Sequence, residues 1–100
     1  MKIDLNPVYL EIVKDIISKN APGLEIWVFG SRVNGTAKKF SDLDLAIISP
    51  EPLTLNLMTK LQNAFSESDL PIKIDIVDWS AISEEFKKII LKNHQTLFSK

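Results

Sequence analysis

The chain has no cysteine. That excludes a disulfide framework and any thiolate-bound metal site. Charge of one sign is also missing: Lys and Arg number 12 against 13 Asp and Glu, a net of -1. A general nucleic-acid binder carries a marked basic excess, so wholesale phosphate neutralisation is excluded. No apolar run approaches the roughly 18 to 20 residues of a membrane-spanning helix. No Gly/Ser-rich linker, internal repeat or low-complexity stretch interrupts the pattern. The opening Met1-Lys2-Ile3-Asp4 brings in an acid at once, where a signal peptide needs an apolar core. What is present is ordinary globular material, 45% hydrophobic and 25% charged in 100 residues, enough for one core. The expectation is a single cytoplasmic domain over residues 1–100.

The hydrophobic spacing predicts alternating helices and strands. Asn6 is placed to cap a helix that opens on Pro7. Tyr9, Ile12, Val13, Ile16 and Ile17 recur along it at helical spacing, and Asn20-Ala21-Pro22-Gly23 stops it. The β-formers of 24–29 predict a buried strand ending at Gly30-Ser31. A polar stretch, read as a short helix or loop, leads to a second strand over 43–48. A helix from Thr54 to about Ser66 follows, then a third strand over 72–77. A last helix, capped by Ser80 or Ser83, presents Ile82, Phe86, Ile89 and Ile90, and 95–98 reads as a short terminal strand. This order predicts an α/β fold with helices packed on a small sheet. The dozen residues between the first two strands permit either a crossover or an antiparallel return.

The informative segment is Ser41-Asp42-Leu43-Asp44-Leu45. Two aspartates two residues apart at the start of a strand point the same way, with Cα atoms roughly 6 to 7 Å apart. Like charges that close raise each other's pKa. A divalent cation removes the penalty, since carboxylate oxygens are the ligands Mg²⁺ prefers. A lone Asp-x-Asp is more often an acidic surface. Here a third acid, Asp75, stands inside the apolar run Ile72 to Val77, where aspartate is depleted. It completes a three-carboxylate cluster if the third strand neighbours the second. Gly30-Ser31, after a buried strand, offers backbone N–H groups and a hydroxyl to an anion.

The spacing Gly30-Ser31, ten residues, Asp42, one residue, Asp44, with Asp75 on a later strand, resembles the minimal nucleotidyltransferases of the DNA polymerase β-like superfamily. The resemblance runs from the first strand to the last helix. It implies the polymerase β-like fold, a small mixed sheet packed with helices. It also implies Mg²⁺-dependent transfer of a nucleoside monophosphate, AMP from ATP in the favoured reading. In that scheme Asp42, Asp44 and Asp75 are the catalytic and metal-binding carboxylates, holding two Mg²⁺ ions. Gly30 and Ser31 hold the outer phosphates, and Arg32 is a candidate phosphate contact. Many members carry a basic residue where this chain has Asn34; Lys38, Lys39 or Lys73 is a candidate substitute. The chain contains no obvious acceptor domain. The resemblance therefore points to a protein acceptor, a small helical HEPN-domain protein encoded nearby, silenced as the toxin of a toxin–antitoxin pair by AMP on a tyrosine. Two alternatives stand beside this one. One is an inactive nucleotide-binding subunit that masks a helical partner. The other is a small-molecule nucleotidyltransferase of the antibiotic-modifying type.

The remaining aromatic and basic residues read as structural. Trp27 and Trp79 are expected to pack, His94 to sit near the end of the last helix, and Lys38-Lys39 and Lys87-Lys88 to face solvent. Leu55 falls off the apolar stripe of its helix, so it is expected to be exposed and to contribute to partner docking.

Overall fold

The computed structural model describes residues 3–99. Helix α1 (Pro7–Asn20) starts as expected: the Val8 N–H donates to Asn6 Oδ1 at 2.9 Å and Pro7 opens the first turn. Strand β1 (Glu25–Phe29) leads through Gly30 into the short helix α2 (Ser31–Asn34), and then β2 (Leu43–Ile48) follows. Helix α3 (Leu55–Ser66) is capped by Thr54, whose hydroxyl accepts from the Leu57 N–H. Strand β3 (Ile74–Asp78) passes through a 3₁₀ turn (Trp79–Ala81) to α4 (Glu84–Lys92), and β4 (His94–Phe98) ends the described fold. Ser83, not Ser80, caps α4, and Ile82 lies before the helix rather than on its stripe. The third strand begins at Ile74, two residues later than the apolar run, and extends to Asp78. Ile72 instead joins the core from the preceding loop. No helix among the described residues is long and apolar enough to cross a membrane.

The four strands run in the order β3-β2-β1-β4. β1 pairs antiparallel with both β2 and β4, and β2 pairs parallel with β3. The connection between the first two strands is thus the antiparallel return. The β2–α3–β3 connection supplies the crossover that a parallel pair requires.

Side-chain alternation splits β2 between two layers. Leu43, Leu45 and Ile47 face the main core, with Val13 and Ile17 of α1, Ile26 and Val28 of β1, and Leu61 and Phe65 of α3. Ala46 faces the other way, into a smaller cluster with Phe29 and Ile90 of α4. Asp44 shares the parity of Ala46, so the pleat places it on the α4 side of the sheet. Trp27 is on that side too, half-buried rather than in the main core. It stacks on His94 with ring centroids 4.0 Å apart and meets Trp79 edge-on at 5.3 Å. His94 opens β4, and its Nδ1 lies 3.0 Å from the Ile90 carbonyl at the end of α4. Leu55 is 80% exposed, as its place off the stripe predicts.

Candidate active site

The parallel pairing of β2 and β3 assembles the acidic cluster. In register, Asp44 stands directly beside Asp75, and neighbouring strands lie about 4.8 Å apart. Asp42 sits two residues earlier, just outside β2, and is exposed, as is Asp75. Asp44 is the half-buried member. Burial pushes its carboxyl up from the ordinary 3.8 to about 6, and the charges of Asp75 and then Asp42 add to the rise. Nothing cationic offsets this at Asp44 itself. The Lys73 ammonium lies 3.8 Å from Asp75, a solvent-exposed pair that contributes little.

Gly30 closes the other side of Asp44. Its backbone adopts φ 79, ψ -153, a region open essentially to glycine alone. A Cβ built there would overlap the Asp44 carboxylate. The Gly30-Ser31 turn and the first carboxylate of β2 are therefore packed together, although fourteen positions separate Gly30 from Asp44 in sequence. Val33 and Asn34 N–H both donate to the Gly30 carbonyl. The turn is thus held on its helical side while Ser31 stays half-buried at the edge of the site.

Arg32 is the one buried charged side chain among the described residues, 6% exposed, and its Nη atoms are engaged within the protein. Nη1 donates to the Asp4 carbonyl at 3.0 Å, and Nη2 donates to the carbonyls of Lys39 at 3.2 Å and Ser41 at 2.9 Å. The Asp4 N–H returns a bond to the Arg32 carbonyl at 2.6 Å. Its Nε alone has no partner. The guanidinium fork therefore ties the N-terminal segment to the loop that delivers Asp42. The other basic candidates offer no buried cation: Lys38, Lys39 and Lys73 are all exposed.

Asp78 lies outside this cluster. Burial raises its pKa, but bonds from the Leu53 N–H, the Ser80 hydroxyl and the Ser80 N–H outweigh that and leave it below the usual range. It caps the 3₁₀ turn and pins the entry to α3. Sequence spacing did not disclose this role, because the Leu53 contact is made across 25 positions.

The chemistry of the donor set fits a hard divalent cation. All three acids offer oxygen ligands, and Asp44 carries a charge its surroundings disfavour. Among the described residues no three His, Cys, Asp or Glu side chains stand close enough to form a ready-made metal cage.

Known proteins resemble this chain in sequence and in fold. The family described as Polymerase beta, Nucleotidyltransferase matches residues 11–100. A Haemophilus influenzae protein described as probable protein adenylyltransferase MntA is 52% identical over 91 residues, covering 91% of this chain and 80% of that one. A solved toxin–antitoxin structure with AMP-PNP superposes with a TM-score of 0.74 at 24% identity, covering 91% of this chain and 73% of the other. A second structure holds a tri-AMPylated Shewanella oneidensis HEPN toxin with an MNT antitoxin. It superposes at 0.68 and 20% identity, covering 93% and 71%. These last two likenesses bear on the fold. Family match, relative and fold together place the chain in the polymerase beta nucleotidyltransferase family.

Proposed function

We propose that this nucleotidyltransferase moves AMP from ATP onto a protein, a HEPN-domain partner, with Mg²⁺ held by Asp42, Asp44 and Asp75. The observation that carries the reading is the contact of Gly30 with Asp44, which sets the Gly30-Ser31 turn against a carboxylate pair. The transferred group and the class of acceptor follow the 52% identical relative described as a protein adenylyltransferase. The partner follows the fold neighbour that holds an AMPylated HEPN toxin.

Phosphoryl transfer asks mainly for positioning and charge neutralisation. Mg²⁺ held by these carboxylates would supply the charge neutralisation that the phosphates need. Asp44, enclosed by Gly30, would provide the half-buried ligand, and Asp42 the exposed one at the loop end. Asp75, exposed on the outer strand, would accept the acceptor hydroxyl's proton. The Ser31 hydroxyl and the backbone N–H groups beside it would bind the outer phosphates. Arg32 holds the Asp42 loop against this frame.

The test is incubation of the protein with ATP, Mg²⁺ and its HEPN partner, read by intact mass spectrometry. An added AMP on the partner, lost in Asp44→Asn, is the expected result. A stable complex that never acquires the adduct would overturn the transferase reading in favour of a masking subunit.

A further inference from the structure

β3 is an edge strand, since the sheet runs β3-β2-β1-β4. The Leu43 N–H donates to the Lys73 carbonyl at 3.0 Å. In a parallel pair that bond fixes the rest: Lys73, Asp75 and Val77 turn their backbone groups toward β2, and Ile74 and Ile76 turn theirs outward. No loop hydrogen bond among the described residues takes up the Ile74 or Ile76 N–H. Beside this free edge lies a groove of about 520 Å³, lined also by Gln62, Phe65 and Ser66 of α3. Its walls include Ile74 and Ile76 from one face of β3 and Asp75 from the other, so it opens along the edge itself. The two faces differ. Ile74 and Ile76 pack, with Leu70, against the main core that holds Phe65, whereas Asp75 is exposed beside Asp44.

These features select an occupant. Unpaired edge groups and a groove that reaches both faces suit an extended backbone. A helix spends its N–H and C=O groups on itself and would leave the edge bare. An added strand lies about 4.8 Å from β3 and points successive side chains to opposite faces. One of its residues then stands beside Asp75, and the residues before and after it enter the apolar side of the groove. The inner flank of Asp75 is taken by Asp44, so the groove is where a new strand meets it. A hydroxyl there must also reach past Asp75 toward Asp44, one strand further in. A tyrosine is long enough to cross that spacing of about 4.8 Å, and a serine is not. We propose that the acceptor polypeptide docks as an extra strand on the free edge of β3, with a tyrosine beside Asp75 and apolar residues on either side of it. The tyrosine oxygen bonds to the α-phosphorus of ATP, the bond from that phosphorus to the bridging oxygen breaks, pyrophosphate leaves, and the hydroxyl proton passes to Asp75. This rests on the nucleotide-transfer reading and adds how the acceptor is presented: main-chain bonds to the edge hold it, and the apolar groove selects its flanking residues.

Residue-resolved hydrogen exchange of the full chain, alone and with the HEPN partner, tests the docking. The Ile74 and Ile76 amides should exchange freely in the chain alone and slow by about tenfold or more in the complex. The Asp75 and Val77 amides, turned toward β2, should be protected in both. Gln62→Trp, at an exposed position of α3, should fill the groove and raise KM for the partner about tenfold, the loss expected of a central interface position, while Mg²⁺–ATP affinity stays within about twofold. In the partner, serine placed directly before or after the modified residue should lower transfer more than serine two positions away. Transfer that proceeds with the Ile74 and Ile76 amides unprotected would overturn the proposal and leave the transferase reading standing. Protection of those amides in the chain alone, with dimerisation, would assign the edge to a second copy and overturn it as well. A parent chain that never transfers AMP would instead reject the nucleotide-transfer reading itself, and this proposal with it.

Discussion

Asp44 offers a measurement of the site without any partner. Its carboxyl titrates near 6 in the folded chain against 3.8 ordinarily, so the native state holds this proton more tightly than the unfolded state. Stability therefore falls as pH rises from about 4 to about 6, and the loss is complete above that window. At about 1.36 kcal/mol per pH unit, the rise from 3.8 to about 6 sets a ceiling of about 3 kcal/mol. Partial solvent access screens the charges, which brings the expected effect to about 1 to 2 kcal/mol. Asp44→Asn removes the charge and keeps the shape. In metal-free buffer at pH 7.5 the variant should be more stable than the parent by that amount, about 4 to 16 °C in Tm for a chain this size. At pH 4 the two should converge. Urea unfolding of both proteins across pH 4 to 8 is the assay, because titrating groups remote from Asp44 cancel in the difference. Adding Mg²⁺ with ATP should reverse the order at pH 7.5, by stabilising only the parent. Parallel stability curves for parent and variant over the whole range would refute the like-charge, desolvated account of this carboxylate.

Three further outcomes follow from the same geometry. Gly30→Ala places a Cβ on the Asp44 carboxylate in a backbone region that costs non-glycine residues about 1 to 3 kcal/mol; it should lower the urea midpoint and abolish Mg²⁺–ATP binding. Arg32→Met keeps the buried stem but leaves the carbonyls of Asp4, Lys39 and Ser41 without their donor. It should cost about 3 kcal/mol in urea unfolding, with Arg32→Lys intermediate. Leu55→Glu, at a position 80% exposed, should leave stability within about 0.5 kcal/mol; a weaker complex with the HEPN partner in pull-down or calorimetry is expected if the α3 face is the docking surface.

Local sequence determined the elements wherever one residue type does one job. Asn6 and Thr54 cap α1 and α3 because their side-chain oxygens reach the first free N–H groups. The alternation in Leu43-Asp44-Leu45-Ala46-Ile47 already divided the second strand into a core face and a face carrying acid. The Gly-Ser and Asp-x-Asp spacing likewise disclosed the family, because a short motif records chemistry independently of distant contacts. Only the tertiary structure decided three things. It paired β3 parallel to β2, in the register that sets Asp75 beside Asp44; no property of Ile74-Asp75-Ile76 specifies its neighbour, since pairing depends on where α3 returns the chain. It buried Arg32 and spent its guanidinium on carbonyls 7, 9 and 28 positions away. And it made Gly30 a steric requirement of Asp44, through a contact between residues that turn toward each other only once β1 and β2 fold back antiparallel. Caps, stripes and alternation are read within a turn or two of the chain; charge clustering, burial of a cation and close backbone approach are properties of segments brought together by packing.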